Sequence, residues 1–265
     1  VRLYECDALG HVNNAWYLAY LQQATHELWA GLAPAHWQLR RLAIEYLSPA
    51  QADDELEVSA WPASCADGRV VCGYEVRRTR DGQPVVRALI GWEWLDSVTG
   101  QPLPLPASWP TGQPAGCTPA RPLRLGPDRL DGRPYRWRHT VRSYEAGANG
   151  RVNPSEILRW LEEAKFVACA EVGWPPPRIH EAGILIVQVR HDSEVYQDLA
   201  PGDAVEIVSR VYEMSRVKGS WRQELYRNGE LAALDYGAGA FLNRAGHPSP
   251  PPAALVEALV RGKAR

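Results

Sequence analysis

The sequence predicts an α+β protein made of two tandem units, each a long central helix wrapped by an antiparallel β-sheet. Three observations predict it. Residues 1–24 align without a gap on residues 141–164, and eleven of the 24 positions are identical, where chance would give about two. Each copy then runs in the same order, a helix-period segment followed by strand-like runs long enough to wrap it. Between the copies, residues 101–134 hold nine prolines, which exclude a central strand or a long helix.

The elements follow from local pattern. Residues 135–144 read as a strand, and the chain opens on Val1 inside the equivalent strand, so a few native residues are expected ahead of it. The first helix places Tyr17, Leu21, Ala24 and Leu28 on one face, and the second repeats this with Ile157, Leu161, Ala164 and Ala168. Asn153 is an N-cap residue, Pro154 suits the first helical position, and Glu156 stands where a capping-box acid would; by the repeat, Asn13 caps the first helix. Strand-like runs cover 42–48, 55–61, 70–78 and 85–96 in copy one, and 184–193, 204–215, 220–227 and 230–243 in copy two. Asp81-Gly82 and Asn228-Gly229 are the hairpin signals. A second proline cluster, 248–252, precedes a helical tail over 253–264. The domain reading is therefore 1–100, a linker over 101–134 draped on the surface, 135–247, and a tail over 248–265.

Composition narrows the function. A length of 265 residues fits about two domains. The net charge of −2 gives no reason to expect nucleic acid or an anionic membrane as partner. No apolar run is long enough to span a bilayer, and no signal peptide is visible. Five cysteines, odd in number and without metal spacing, read as reduced thiols of a cytoplasmic protein. The eleven tryptophans are assigned to the core as a class.

The differences between the copies carry the chemistry. Copy one has Asp7 and His11 where copy two has Gly147 and Arg151. The segment from Asp7 to Asn14 turns at Gly10 and enters a helix. The first N–H groups of a helix have no internal partner and sit at the positive end of its dipole, so they can hold an oxygen that develops negative charge. Asn14 offers such an N–H, and Asp7 could act as base or nucleophile toward the same reacting atom. Each residue also has a plain structural reading: Asp7 as a turn acid, His11 as a turn histidine, Asn13 as a cap only. Glu5 and Glu145, kept in both copies, are expected to pair with Arg2 and Arg142. Cys6 reads as a small buried residue, with no cation to activate it.

Asp7, Gly10, His11, Val12, Asn13, Asn14, Tyr17 and Leu18, after Val1-Arg2-x-Tyr4, resemble the opening of the hot-dog thioesterases of the 4-hydroxybenzoyl-CoA thioesterase-like group. The second copy is similar to the opening of the acyl-ACP thioesterases, which also contain two hot-dog units. The resemblance implies two hot-dog units paired as an intrachain pseudo-dimer, with sites at the interface between units. It implies Asp7 as the catalytic acid, the Asn14 N–H as oxyanion donor, and His11 and Asn13 as supporting residues. Gly10 and Tyr17 would contact substrate. The substrate would be an acyl thioester of coenzyme A or acyl carrier protein; no metal or resident cofactor is implied.

Three departures qualify it. The motif-bearing unit comes first here and second in the acyl-ACP enzymes. Their Glu-Cys pair falls on Pro49 and Ala50. Gly147 removes the acid from copy two, so one working site per chain is expected, with coenzyme A favoured as carrier. A basic cluster of Arg216, Lys218 and Arg222 is the candidate for coenzyme A phosphates, with a solvated turn as its plain alternative. Two rival functions stay open: an enoyl-thioester hydratase or dehydratase, and a non-catalytic acyl-thioester binding protein. The oligomeric expectation is a monomeric pseudo-dimer or a homodimer of it.

Overall fold

A computed structural model describes residues 1–29, 35–66, 68–96, 99–104, 111–123 and 132–261. The chain divides into two compact units, Val1–Leu123 and Arg124–Arg265.

Unit 1 opens with a 3₁₀ turn at Leu3–Glu5, followed by helix α1 (Asn14–Leu28). Four strands follow: β1 (Ala35–Tyr46), β2 (Leu56–Ala66), β3 (Arg69–Arg78) and β4 (Pro84–Asp96). They form an antiparallel sheet in the order β2-β3-β4-β1. Unit 2 starts with β5 (Tyr135–Thr140), a 3₁₀ turn at Ser143–Glu145, α2 (Pro154–Glu171) and α3 (Pro176–Glu181). It continues through β6 (Ile184–Val195), β7 (Ala204–Met214), β8 (Lys218–Arg227), β9 (Glu230–Asn243) and α4 (Ala253–Arg261). Its strands run in the order β6-β9-β8-β7-β5, also antiparallel. All eight predicted strand runs lie in these ladders. The two sheets even share an irregularity, a register shift at Leu39/Arg41 in β1 and at Gln188/Arg190 in β6. At the β8–β9 hairpin, Asn228 (φ 49°) and Gly229 (φ 91°) supply the two positive dihedrals that a tight primed turn requires.

Some expectations need correction. In α1 the inward face is Ala15, Tyr17, Leu18, Leu21 and Thr25. Ala24 is half-buried and Leu28 is 43% exposed. A threonine can take the inward place because its hydroxyl is satisfied: it donates to Leu21 O (2.7 Å) and shares a 2.6 Å hydrogen bond with the Tyr74 hydroxyl. The predicted face of α2 is buried throughout. The first strand of unit 2 ends at Thr140, because the Glu145 carboxylate accepts the Arg142 backbone N–H (2.6 Å) and folds the chain into the 3₁₀ turn. Val141 follows that strand, and its equivalent Val1 lies in no strand and leads into the 3₁₀ turn of unit 1. Helix α3 was unexpected. Pro176 and Pro177 occupy its first turn, where no N–H is needed, and Ile179 anchors it in the core.

The linker segment 111–123 belongs to unit 1. Gly112 N donates to Pro62 O (3.0 Å) and Thr118 N to the Glu75 carboxylate (3.3 Å), while Ala120 is buried. Most of the remaining linker lies outside the described residues. The tail helix α4 buries Leu255 and Leu259 against Trp221 and Phe241, and the Tyr135 hydroxyl donates to Leu259 O (2.8 Å).

Candidate functional site

The loop that carries Asp7 is closed by its own backbone. Asp7 N donates to His11 O (2.7 Å), Gly10 N donates to Asp7 O (3.0 Å), and Asn13 N donates to Glu5 O (2.9 Å). Gly10 sits at φ +77° with open space around it, so backbone conformation and not crowding calls for glycine there. Below the loop, Glu5 accepts the Arg2 backbone N–H (2.6 Å) and the Tyr20 hydroxyl (2.8 Å). The acid thus anchors the turn through the backbone of Arg2 and not through its guanidinium, which instead donates to the Tyr4 hydroxyl (2.6 Å). The same holds in unit 2, where Glu145 also receives Trp160 Nε1 (3.0 Å) and His139 Nε2 (2.8 Å). Burial alone would raise the Glu145 pKa; the Arg142 N–H, His139 and Trp160 outweigh it and hold the carboxylate below its ordinary value.

Asp7 is exposed, and its Oδ1 accepts the backbone N–H groups of Leu9 (2.8 Å) and His11 (3.3 Å). Among the described residues Oδ2 has no hydrogen-bond partner. His11 meets Asp7 through its backbone and not its ring. Asn13 caps α1 by accepting the Ala15 N–H (3.1 Å). Asn14 is the first residue of α1, and its N–H has no partner among the described residues. The structure therefore brings a fixed carboxylate and an open helix N-terminus to the two sides of one short loop. Tyr17 is 3% exposed, its ring against Tyr20 and Tyr46, so it packs in the core of unit 1 and not on an open surface. Burial pushes its hydroxyl well above the usual tyrosine range. Arg216 and Lys218 are exposed in the β7–β8 turn of unit 2; Arg222 leaves them to pair with Glu224 (2.7 Å).

In unit 2 the same loop has lost both features. A Cβ added at Gly147 would lie 2.8 Å from Asn153 Oδ1, so the asparagine occupies the acid's place. Asn153 makes no side-chain cap, against expectation, and no capping-box bond from Glu156 forms. The residue matching Asn14 is Pro154, which has no N–H to offer.

The family profile described as the thioesterase-like superfamily matches residues 1–110. The first unit is thus similar to the thioesterase-like superfamily. The resemblance seen in the Asp7–Leu18 motif is thereby borne out. A curated relative from Aquifex aeolicus (strain VF5) carries the name "Putative esterase". It is 29% identical over 83 residues, which are 31% of this chain and 65% of that protein, so the match spans just under two thirds of the relative. Two solved structures share the fold across nearly the whole chain. An acyl-ACP thioesterase from Bacteroides thetaiotaomicron has a TM-score of 0.65 at 15% identity, covering 90% of this chain and 94% of the other. The 12:0-ACP thioesterase from Umbellularia californica has 0.67 at 14%, covering 92% of each. The fold is thus the α+β tandem double hot-dog.

A polar group inside unit 2 escaped sequence reasoning. His191, Ser193 and Asp235 are buried on β6 and β9; Asp235 accepts Ser193 Oγ (2.5 Å) and meets His191 Nδ1 (2.9 Å). Its signal lay in strands whose inward positions should be apolar but carry His, Ser and Asp, beside the glycines 237 and 239. Among the described residues no cluster fits a metal ion. No helix among the described residues is long and apolar enough to cross a membrane.

Proposed function

We propose that this chain hydrolyses acyl thioesters at the Asp7 loop of unit 1. The observation that carries the reading is the pairing of a backbone-clamped carboxylate with an unpartnered N–H at a helix start. With Oδ1 held by Leu9 and His11, Oδ2 of Asp7 is the oxygen left to accept a proton from water or to attack the thioester carbonyl. The N–H of Asn14, with the dipole of α1 behind it, takes the oxyanion of the tetrahedral intermediate. Asn13 holds that N–H in place by closing the first turn. His11 contributes the backbone N–H that orients Asp7, leaving its ring for the departing thiolate. Coenzyme A is the favoured carrier, since Pro49 and Ala50 replace the Glu-Cys pair of the acyl-carrier enzymes.

Thiol release from a panel of acyl-CoA and acyl-carrier thioesters tests the proposal, with Asp7→Asn run alongside. The amide keeps the Oδ1 acceptor, so the loop stays closed while the charge is lost. Turnover is expected to fall by about 10² to 10⁴. Wild-type turnover that survives in Asp7→Asn on every thioester would refute the role of Asp7.

A further inference from the structure

The two units treat the end strands of their sheets differently. In unit 1 the end strand is β2, which pairs with β3. Pro62 interrupts it, a register shift follows between Pro62 and Ser64, and the linker covers it, Gly112 N donating to Pro62 O (3.0 Å). Proline, irregularity and cover all keep an edge from pairing with another chain. In unit 2 the end strand is β5, six residues long and paired with β7 without a register shift. Among the described residues its backbone makes no hydrogen bond outside that ladder.

The side chains of β5 sort by face. Arg136, Arg138 and Thr140 are exposed on one face; Tyr135 is buried, and Trp137 and His139 are half-buried, on the other. Arg136 and Arg138 both reach the Glu206 carboxylate of β7, at 2.5 and 2.8 Å, so one anion serves two cations. An open groove of about 790 Å³ runs along this face, lined also by Arg142, Arg210 and Glu224. Glu224 is committed to Arg222 (2.7 Å) and to the Tyr226 hydroxyl (3.1 Å). Arg210 donates to Gly132 O (3.4 Å), and neither it nor Arg142 forms an ion pair among the described residues. The groove therefore holds surplus positive charge in a chain whose net charge is −2. On the other face Trp137 stacks on His139 (5.3 Å) and stays partly open.

A strand added to β5 would meet both faces at once, because its side chains alternate as those of β5 do. It would need acids on the arginine side, where guanidinium and carboxylate pair strongly, and apolar residues beside Trp137. A second copy of β5 fails this requirement. Antiparallel pairing that keeps the two faces sets arginine opposite arginine, and like charges directly opposite are unfavourable. A nucleic acid would match the charge but would leave the backbone edge unused.

We propose that β5 is a docking edge for an extended segment of another protein in which acidic and apolar residues alternate, its backbone extending the sheet beyond β5 and its acids facing Arg136 and Arg138. No residue of the Asp7 loop takes part, so the proposal is independent of thioester hydrolysis.

Fluorescence anisotropy of a labelled, end-blocked heptapeptide of alternating valine and aspartate, titrated with the full chain, tests this. Saturable binding at one site is expected. The same peptide N-methylated throughout keeps its side chains and loses its N–H donors, and should bind at least tenfold more weakly. Lysine in place of every aspartate should abolish binding. Arg136→Gln/Arg138→Gln should weaken binding of the aspartate peptide at least tenfold; the two peptide controls stand even if that variant fails to fold. Absence of binding by the wild type, equal binding of the N-methylated peptide, or unchanged binding by a folded double variant would overturn the proposal. So would tighter binding of a ten-nucleotide oligothymidylate, which would assign the groove to nucleic acid, or self-association that the double variant alters, which would assign the edge to a second copy.

Discussion

Asn13 and Asn153 occupy the same place in the repeat but do different work, and replacing each by alanine separates the two. Asn13 Oδ1 accepts the Ala15 N–H at 3.1 Å, satisfying one of the orphan donors of α1. Asn153 has the same extended backbone but no capping bond, and α2 starts with a proline that removes one orphan donor outright. Loss of an asparagine cap costs about 1 kcal/mol. For a unit of this size that lowers the melting temperature by roughly 4 °C. Asn13→Ala should show that shift, and Asn153→Ala should move by less than about a quarter of it. The assay is thermal unfolding by calorimetry, where two units can give two transitions, so the shift is read on the transition that moves. Turnover adds a second readout: Asn13→Ala loosens the first turn of α1 and should lower thiol release, while Asn153→Ala should leave it unchanged. Equal melting shifts in the two variants would refute the assignment of capping to one asparagine alone.

Two further outcomes follow from the same comparison. In an Asp7→Asn background, Gly147→Asp should restore no thiol release, because Asn153 stands 2.8 Å from the new Cβ and Pro154 supplies no N–H; recovered turnover would show that the helix-start amide is dispensable. Glu145→Gln should destabilise unit 2 by about 2 kcal/mol at neutral pH, since an amide presents donors to the Arg142 and Trp160 N–H groups. The folded pKa of Glu145 is lowered, so its contribution is complete above the unfolded glutamate value of about 4.3 and is lost as pH falls through the folded pKa. The variant's stability curve should therefore be flatter than the wild type's on the acid side; identical acid limbs would contradict the shift.

The repeat made most of the fold legible. A hydrophobic pattern read once could be checked in its second copy, and every strand run and both long helices are present. The misreadings have local physical causes. Thr25 faces inward because Tyr74 and the Leu21 carbonyl satisfy it, and no periodicity rule anticipates a satisfied polar group. The strand ending at Thr140 was extended to Tyr144 because the turn is held by a side chain, Glu145, reaching a backbone N–H three residues back. In the loop proposed as the site, Asp7, Gly10, Asn13 and Asn14 stand out in the sequence because a tight turn and a helix start place them within eight residues. His191, Ser193 and Asp235 do not, because they are scattered over β6 and β9 and meet only when the sheet forms.

The divergence of the copies is concentrated in the loop. Unit 1 keeps the acid and the open amide, whereas unit 2 fills the acid's place with Asn153 and starts its helix on Pro154. The anchor beneath the loop is the same in both: Glu5 and Glu145 each accept the backbone N–H of the arginine three residues earlier. A copy that keeps the turn and gives up only the carboxylate and the helix-start amide has kept what the fold needs and dropped the groups proposed for chemistry, so the loop of unit 2 is structural where that of unit 1 is open to a reacting carbonyl.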